Sequence, residues 1–240
     1  MRTNHQMNYY DYAKTLSAEG NMTALIGGGS GTEPETDYVD LGLSVKWAKC
    51  NIGANTPEEA GLYFAWGETS GYAAEQVGNE EGKRAFAGDD YEFGPFDLED
   101  ETNYGMTKYN SNGPTVLESE DDAASEIWKN GWRMPTKLEF EELLENTTSA
   151  WTEVNGVYGA MFTSTVDGYT GNSLFFPAVG SAGNGEVYDV GGNGYYWSAS
   201  LVDDGVGSAW ILGFNDGFCE VYNINRCSGC SVRPVLPQNL

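Results

Sequence analysis

The chain has 240 residues, enough for one large domain or two small ones, and its 40% hydrophobic content makes it globular rather than disordered. Its 36 acidic and 12 basic residues leave a formal charge of -24, which repels phosphate backbones and argues against nucleic acid or an anionic membrane as partner. The 32 Gly, 15 Tyr, 10 Phe and 7 Trp favour a loop-rich β structure over a helical bundle, because Gly supplies positive φ and aromatic rings cover a twisted sheet.

From Met1 to Gly20 the sequence is polar and tyrosine-rich, with no apolar signal-peptide core, so no signal peptide is evident. No stretch is long and apolar enough to insert in a bilayer. Residues 1–26 hold one short helical pattern, Tyr10 to Leu16, too short to be stable without a partner. They are expected to be an anchoring segment. Residues 27–36 open with Gly27-Gly-Gly-Ser-Gly31 and form a flexible linker. The domain proper is expected over 37–237.

That domain begins with alternating apolar and polar residues from Tyr38 to Trp47, which predicts two short strands around Gly42. Thr56-Pro-Glu-Glu59 puts Pro at a first helical position with acids behind it, and predicts a short helix. Leu62 to Trp66 predicts a buried aromatic segment, and Gly71 to Pro114 reads as long acidic loops. Thr136 and Glu139 form a capping box, followed by an apolar face of Leu138, Phe140, Leu143 and Leu144 to about Asn146, with Trp132 and Met134 expected beneath it. After Trp151 the chain reads as β and loop, with strands at 174–179, 194–200, 209–214, 219–222 and 230–235. Two helices before a run of short twisted strands is an α+β arrangement.

The four cysteines are Cys50, Cys219, Cys227 and Cys230. Their clustering is not a disulfide framework, and Cys227-Ser-Gly-Cys230 lacks the second pair or nearby histidine that zinc needs, since His5 is the sole His. No metal ligand set is assigned. The acids serve solubility or, alternatively, calcium, although none has EF-hand spacing.

Five ordered motifs carry a family resemblance: Tyr38-Val-Asp-Leu-Gly-Leu-Ser-Val-Lys-Trp-Ala48, Tyr63-Phe-Ala-Trp-Gly-Glu68, Trp132-Arg-Met-Pro-Thr136, Tyr196-Trp-Ser198 and Ser231-Val-Arg-Pro-Val235. Over roughly Tyr38 to Val235 the chain resembles the major paralogous domain proteins of Bacteroides and Fibrobacter relatives. It also resembles the variable proteins of diversity-generating retroelements in gut bacteria and their phages. The resemblance implies a C-type-lectin-like fold with two helices, short twisted antiparallel strands, and paired N- and C-terminal strands that set Val39–Trp47 beside Ser231–Val235. It also implies a C-terminal face diversified by adenine-directed mutation, which excludes Lys, Glu, Gln, Met and Trp. From Leu201 to Cys230 the chain has no Lys, Gln or Met, which leaves Trp210 and Glu220 as expected framework and the three cysteines there as chance products.

The contact residues expected on that face are Val202, Asp203, Asp204, Val206, Ser208, Phe218, Cys219, Tyr222, Ile224, Cys227, Ser228 and Cys230. Tyr with small residues is the alphabet of adaptable binding surfaces. Trp197 is expected in the core and Arg233 as a buried or half-buried hydrogen-bonding group. The implied function is ligand-binding display, as a receptor-binding protein of a phage or cell surface. Its partner would be a protein or glycan on a host cell, and residues 1–26 would attach it to a virion. No catalytic residue and no cofactor are assigned. The alternatives are a calcium-dependent lectin, suggested by Phe214-Asn-Asp216, and an oxidase akin to formylglycine-generating enzymes, suggested by Arg226-Cys-Ser-Gly-Cys230. The domain lacks a His general base for the latter.

Overall fold

A computed structural model describes residues 38–78, 86–95, 97, 99–100, 103–203 and 205–238. The expected anchoring segment and linker, as well as Asp204, lie outside the described residues.

The chain enters through β1 (Tyr38–Val39) and β2 (Val45–Ala48), paired antiparallel as the alternation predicts. The bend between them needs Gly42, whose φ is +76°; a Cβ there would stand 2.4 Å from the Tyr169 ring. On its other edge β2 pairs with the last strand, β13 (Val235–Pro237), so Val235 lies opposite Trp47. The two ends of the domain therefore close one three-stranded sheet.

The central sheet has five strands in the order β11–β10–β9–β12–β3. These are β3 (Tyr63–Phe64), β9 (Gly194–Leu201), β10 (Ser208–Phe214), β11 (Cys219–Asn225) and β12 (Cys230–Ser231). All contacts in it are antiparallel except that of β12 with β9. Side chains alternate across a strand, so the sheet builds two cores. One face sends Tyr196, Leu212 and Phe214 towards Trp47, Phe140, Leu143 and Phe176. The other sends Trp197, Ala209 and Ile211 towards Trp66, Trp132 and Met134. Burial on both faces is why β9 and β10 read as nearly unbroken apolar runs. The single run expected at 230–235 is divided between β12 and β13, because the chain changes sheet across Val232–Pro234 and Pro234 has no N–H for a ladder.

A third sheet joins β4 (Thr147–Val154), β5 (Val157–Ser164) and β6 (Ser173–Pro177). Its first hairpin closes at Asn155–Gly156, where both residues have positive φ and Val154 pairs with Val157. That is the two-residue turn that Asn-Gly favours. The same device at Asn184–Gly185 joins β7 (Ser181–Gly183) to β8 (Glu186–Tyr188).

Two α-helices occur among the described residues, giving a mixed α+β fold. Helix α1 (Ala123–Trp128) is capped by Asp122, whose carboxylate accepts the Ser125 N–H at 2.9 Å and also the Met134 N–H. Helix α2 (Lys137–Glu145) starts at the expected capping box: Glu139 N–H donates to Thr136 Oγ1 at 3.3 Å and Thr136 N–H to the Glu139 carboxylate at 2.7 Å. Three expectations are corrected. Leu138 is 71% exposed, because only Phe140 and Leu143 of α2 face the sheet fully. Trp132 and Met134 pack in the opposite core, Trp132 edge-on to Trp128. The helix expected at Thr56 is a single turn, in which Glu59 accepts the Asn55 N–H, because the chain must extend at once to pair Tyr63 with Tyr72.

Two arginines bind the layers together. Arg226 is fully buried and donates to Tyr91 Oη (3.0 Å) and to the carbonyls of Tyr109, Val206 and Lys108. Its guanidinium lies 4.8 Å from the Trp66 ring centre. Arg233, also fully buried as expected, donates to Asn51 Oδ1 and the carbonyls of Ala48 and Lys49, and lies 4.7 Å from the Phe176 ring. Trp197 is core, as expected, and its indole N–H donates to the Phe64 carbonyl. No helix among the described residues is long and apolar enough to cross a membrane.

Candidate ligand-binding face

β11 is an edge strand paired only with β10, and most of the expected contact residues lie on it or at its two ends. At one end is the β9–β10 connection. There Val202 is half-buried, with its N–H bonded to the Ser208 carbonyl, and Asp203 is exposed. Ser208 is half-buried opposite Asn225, and Cys227 and Ser228 are half-buried just beyond. At the other end stands Phe218, half-buried in the β10–β11 turn. Between them Tyr222 and Ile224 lie half-buried on the face that carries Trp197 and Ile211. The seven-residue ladder separates the two ends by roughly 20 Å, so the residues form a strip rather than a pocket.

Three expected contacts are corrected. Val206 is 6% exposed and Cys230 is fully buried, both in the core shared with Trp197, so neither can touch a ligand. Val206 is pulled inward because its carbonyl accepts from Arg226, while Cys230 is opposite Phe64 in the sheet interior. Cys219 is half-buried but projects from the opposite face, where it packs beside Trp151. It lines a shallow cleft of about 300 Å³ with Ser149, Trp151, Phe214, Asp216 and Phe218.

The strip includes residues that sequence reasoning passed over. Tyr195 pairs with Gly213, which pairs with Glu220, so the three stand side by side on one face of β9, β10 and β11. Gly213 is there for a steric reason: the Tyr222 ring lies on it, and a Cβ would approach Tyr222 Cε1 to 2.3 Å. The Phe218 ring is 6.3 Å from that of Tyr222. Asp189, at the far side, approaches the Tyr195 hydroxyl at 3.5 Å. Of the two expected framework residues, Trp210 is half-buried, with the Lys137 ammonium 4.0 Å from its ring. Glu220 is exposed among the candidate contacts.

Burial pushes the Cys219 thiol up to about 11 and raises those of Cys227 and Cys230, so all three stay protonated near neutral pH. Burial likewise pushes the Tyr222 phenol up to about 12, with Tyr195 and Glu220 adding to it. The acids closest to a metal set among the described residues are Glu118, Glu120 and Asp121. The Lys108 ammonium sits among all three and fills the place of a cation. Asn215 of Phe214-Asn-Asp216 uses its side-chain oxygen to accept the N–H groups of Gly217 (2.7 Å) and Phe218 (3.1 Å). Both lone pairs of that oxygen are engaged, which leaves none for a calcium ion.

The chain matches no family model, no curated protein and no solved structure.

Proposed function

We propose that this chain is a ligand-binding display protein with a C-type-lectin-like domain, a receptor-binding component of a phage or cell surface whose β11 face is diversified by a retroelement. It performs no catalysis in this reading. The carrying observation is the division of labour along β11 and its continuation. Tyr222, Ile224, Cys227 and Ser228 are half-exposed, whereas Arg226, between them in sequence, is fully buried and makes four hydrogen bonds. Side chains of the first kind reach solvent and only fringe the core, so changing them disturbs the frame less than losing Arg226 would, which is what a variable surface on a fixed scaffold requires. The paired chain termini, β2 with β13, and the five sequence motifs support the same reading. The partner is a protein or glycan on a host cell, and residues 1–26 attach the domain to its carrier.

Sequencing the DNA that flanks the gene tests this proposal. The expected result is a reverse transcriptase gene and a near-repeat of the codons for residues 196–235, differing mainly at adenines. The differences should fall at Phe218, Tyr222, Ile224, Cys227 and Ser228 and spare Arg226 and Arg233. A neighbourhood with neither element overturns the diversified-face reading.

A further inference from the structure

We propose that the aromatic row Tyr195–Tyr222–Phe218 docks a protein segment that presents arginine. The inference rests on the binding-face reading above and names its partner chemistry. One face of the Tyr222 ring lies on Gly213, so its contact surface is the other face and the rim next to Phe218. Exposed carboxylates flank the row: Glu220 beside Gly213 on β11, and Asp189 at the Tyr195 hydroxyl. Strands β8 to β11 contain no basic residue. Beyond Lys137 the sequence has two basic residues in all, Arg226 and Arg233, and both are fully buried. Among the described residues of these strands no basic side chain answers the negative charge, and a cationic partner is complementary.

Two features select arginine rather than a metal ion or lysine. Glu220 and Tyr195 are two strands apart, roughly 10 Å, and Asp189 lies on the far side of Tyr195, so the carboxylates do not converge on one ion. A guanidinium is planar and weakly hydrated, stacks on tyrosine and pairs sideways with carboxylate, whereas an ammonium is a compact, strongly hydrated charge.

Selection of random displayed dodecapeptides on the immobilised full chain tests this. The selected peptides should be enriched in arginine, and a fluorescent copy of one should bind about tenfold more weakly to Tyr222→Ser. Severalfold weakening is expected for Glu220→Gln. Tyr222→Phe should retain binding, and Glu145→Gln, an equal charge change at the end of α2, should leave it unchanged. Equal weakening by Glu145→Gln would show diffuse charge attraction and overturn the proposal. Peptides without arginine that still depend on Tyr222 overturn it too, while leaving the binding face standing. Peptides indifferent to every β11 variant overturn both.

Discussion

Arg226 and Tyr222 are four residues apart and live in opposite worlds. The arginine is fully buried, bonded to Tyr91 and three carbonyls, and surrounded by aromatic rings. The tyrosine is half-exposed at the fringe of the core, with its ring resting on Gly213. The arginine ties the chain after β11 to Tyr91, Lys108 and Tyr109 and to Val206 in the β9–β10 connection. A surface can be changeable only where something else holds the backbone, and in the proposed reading the two tasks fall to neighbouring residues.

Substitutions separate these tasks, and the largest effect belongs to the buried side. Arg226→Met leaves the Tyr109, Val206 and Lys108 carbonyls without their donor in a dry interior, at a cost of about 3 kcal/mol or more in urea unfolding. Gly213→Ala drives a Cβ into the Tyr222 ring; we expect about 1–3 kcal/mol of destabilisation together with loss of peptide binding, since the ring must leave its seat. Thr136→Ala removes the α2 cap and should cost about 1 kcal/mol, with binding unaffected. Tyr222→Ser should change stability least, by about 1 kcal/mol or less, because its ring is half in water.

The pH dependence divides along the same line. Burial raises the Glu68 carboxyl against the opposing hydrogen bond from the Glu92 N–H, so the folded state holds this proton more tightly than the unfolded chain does. Its contribution is therefore most favourable below the unfolded carboxyl range and declines as pH rises through the folded value. Glu68→Gln, which can still accept the Glu92 N–H, should raise the melting temperature at neutral pH and flatten this part of the profile. Glu139 is opposite in sign. The Arg133 guanidinium and the Thr136 N–H hold it below the usual carboxylate range against its own burial, so its stabilisation is present above the unfolded value and is lost as pH falls through the folded one.

How far the sequence could be read depended on the kind of signal. The Thr136–Glu139 box and the alternation at Val45 and Trp47 are local, and both are found where expected. The β4–β5 hairpin was missed although Asn155–Gly156 announced it, because β4 is an edge strand of mostly polar residues and shows little apolar alternation. Helix α1 is six residues long, too short to show a period. At the face, Tyr222 was legible from composition, but Tyr195, Gly213 and Glu220 become neighbours only through the register of three strands. Composition could not separate Cys230 from Cys227 either, since which one is buried is decided by the pairing of β12 with β3.

The most direct measurement randomises two sets of codons in the full chain and scores each library for protease-resistant, folded protein. One set is Phe218, Tyr222, Ile224, Cys227 and Ser228; the other is Val206, Arg226, Cys230 and Arg233. Most members of the first library should fold, and few of the second. Equal loss of folding in both libraries would contradict the claim that this face is variable surface on a fixed frame.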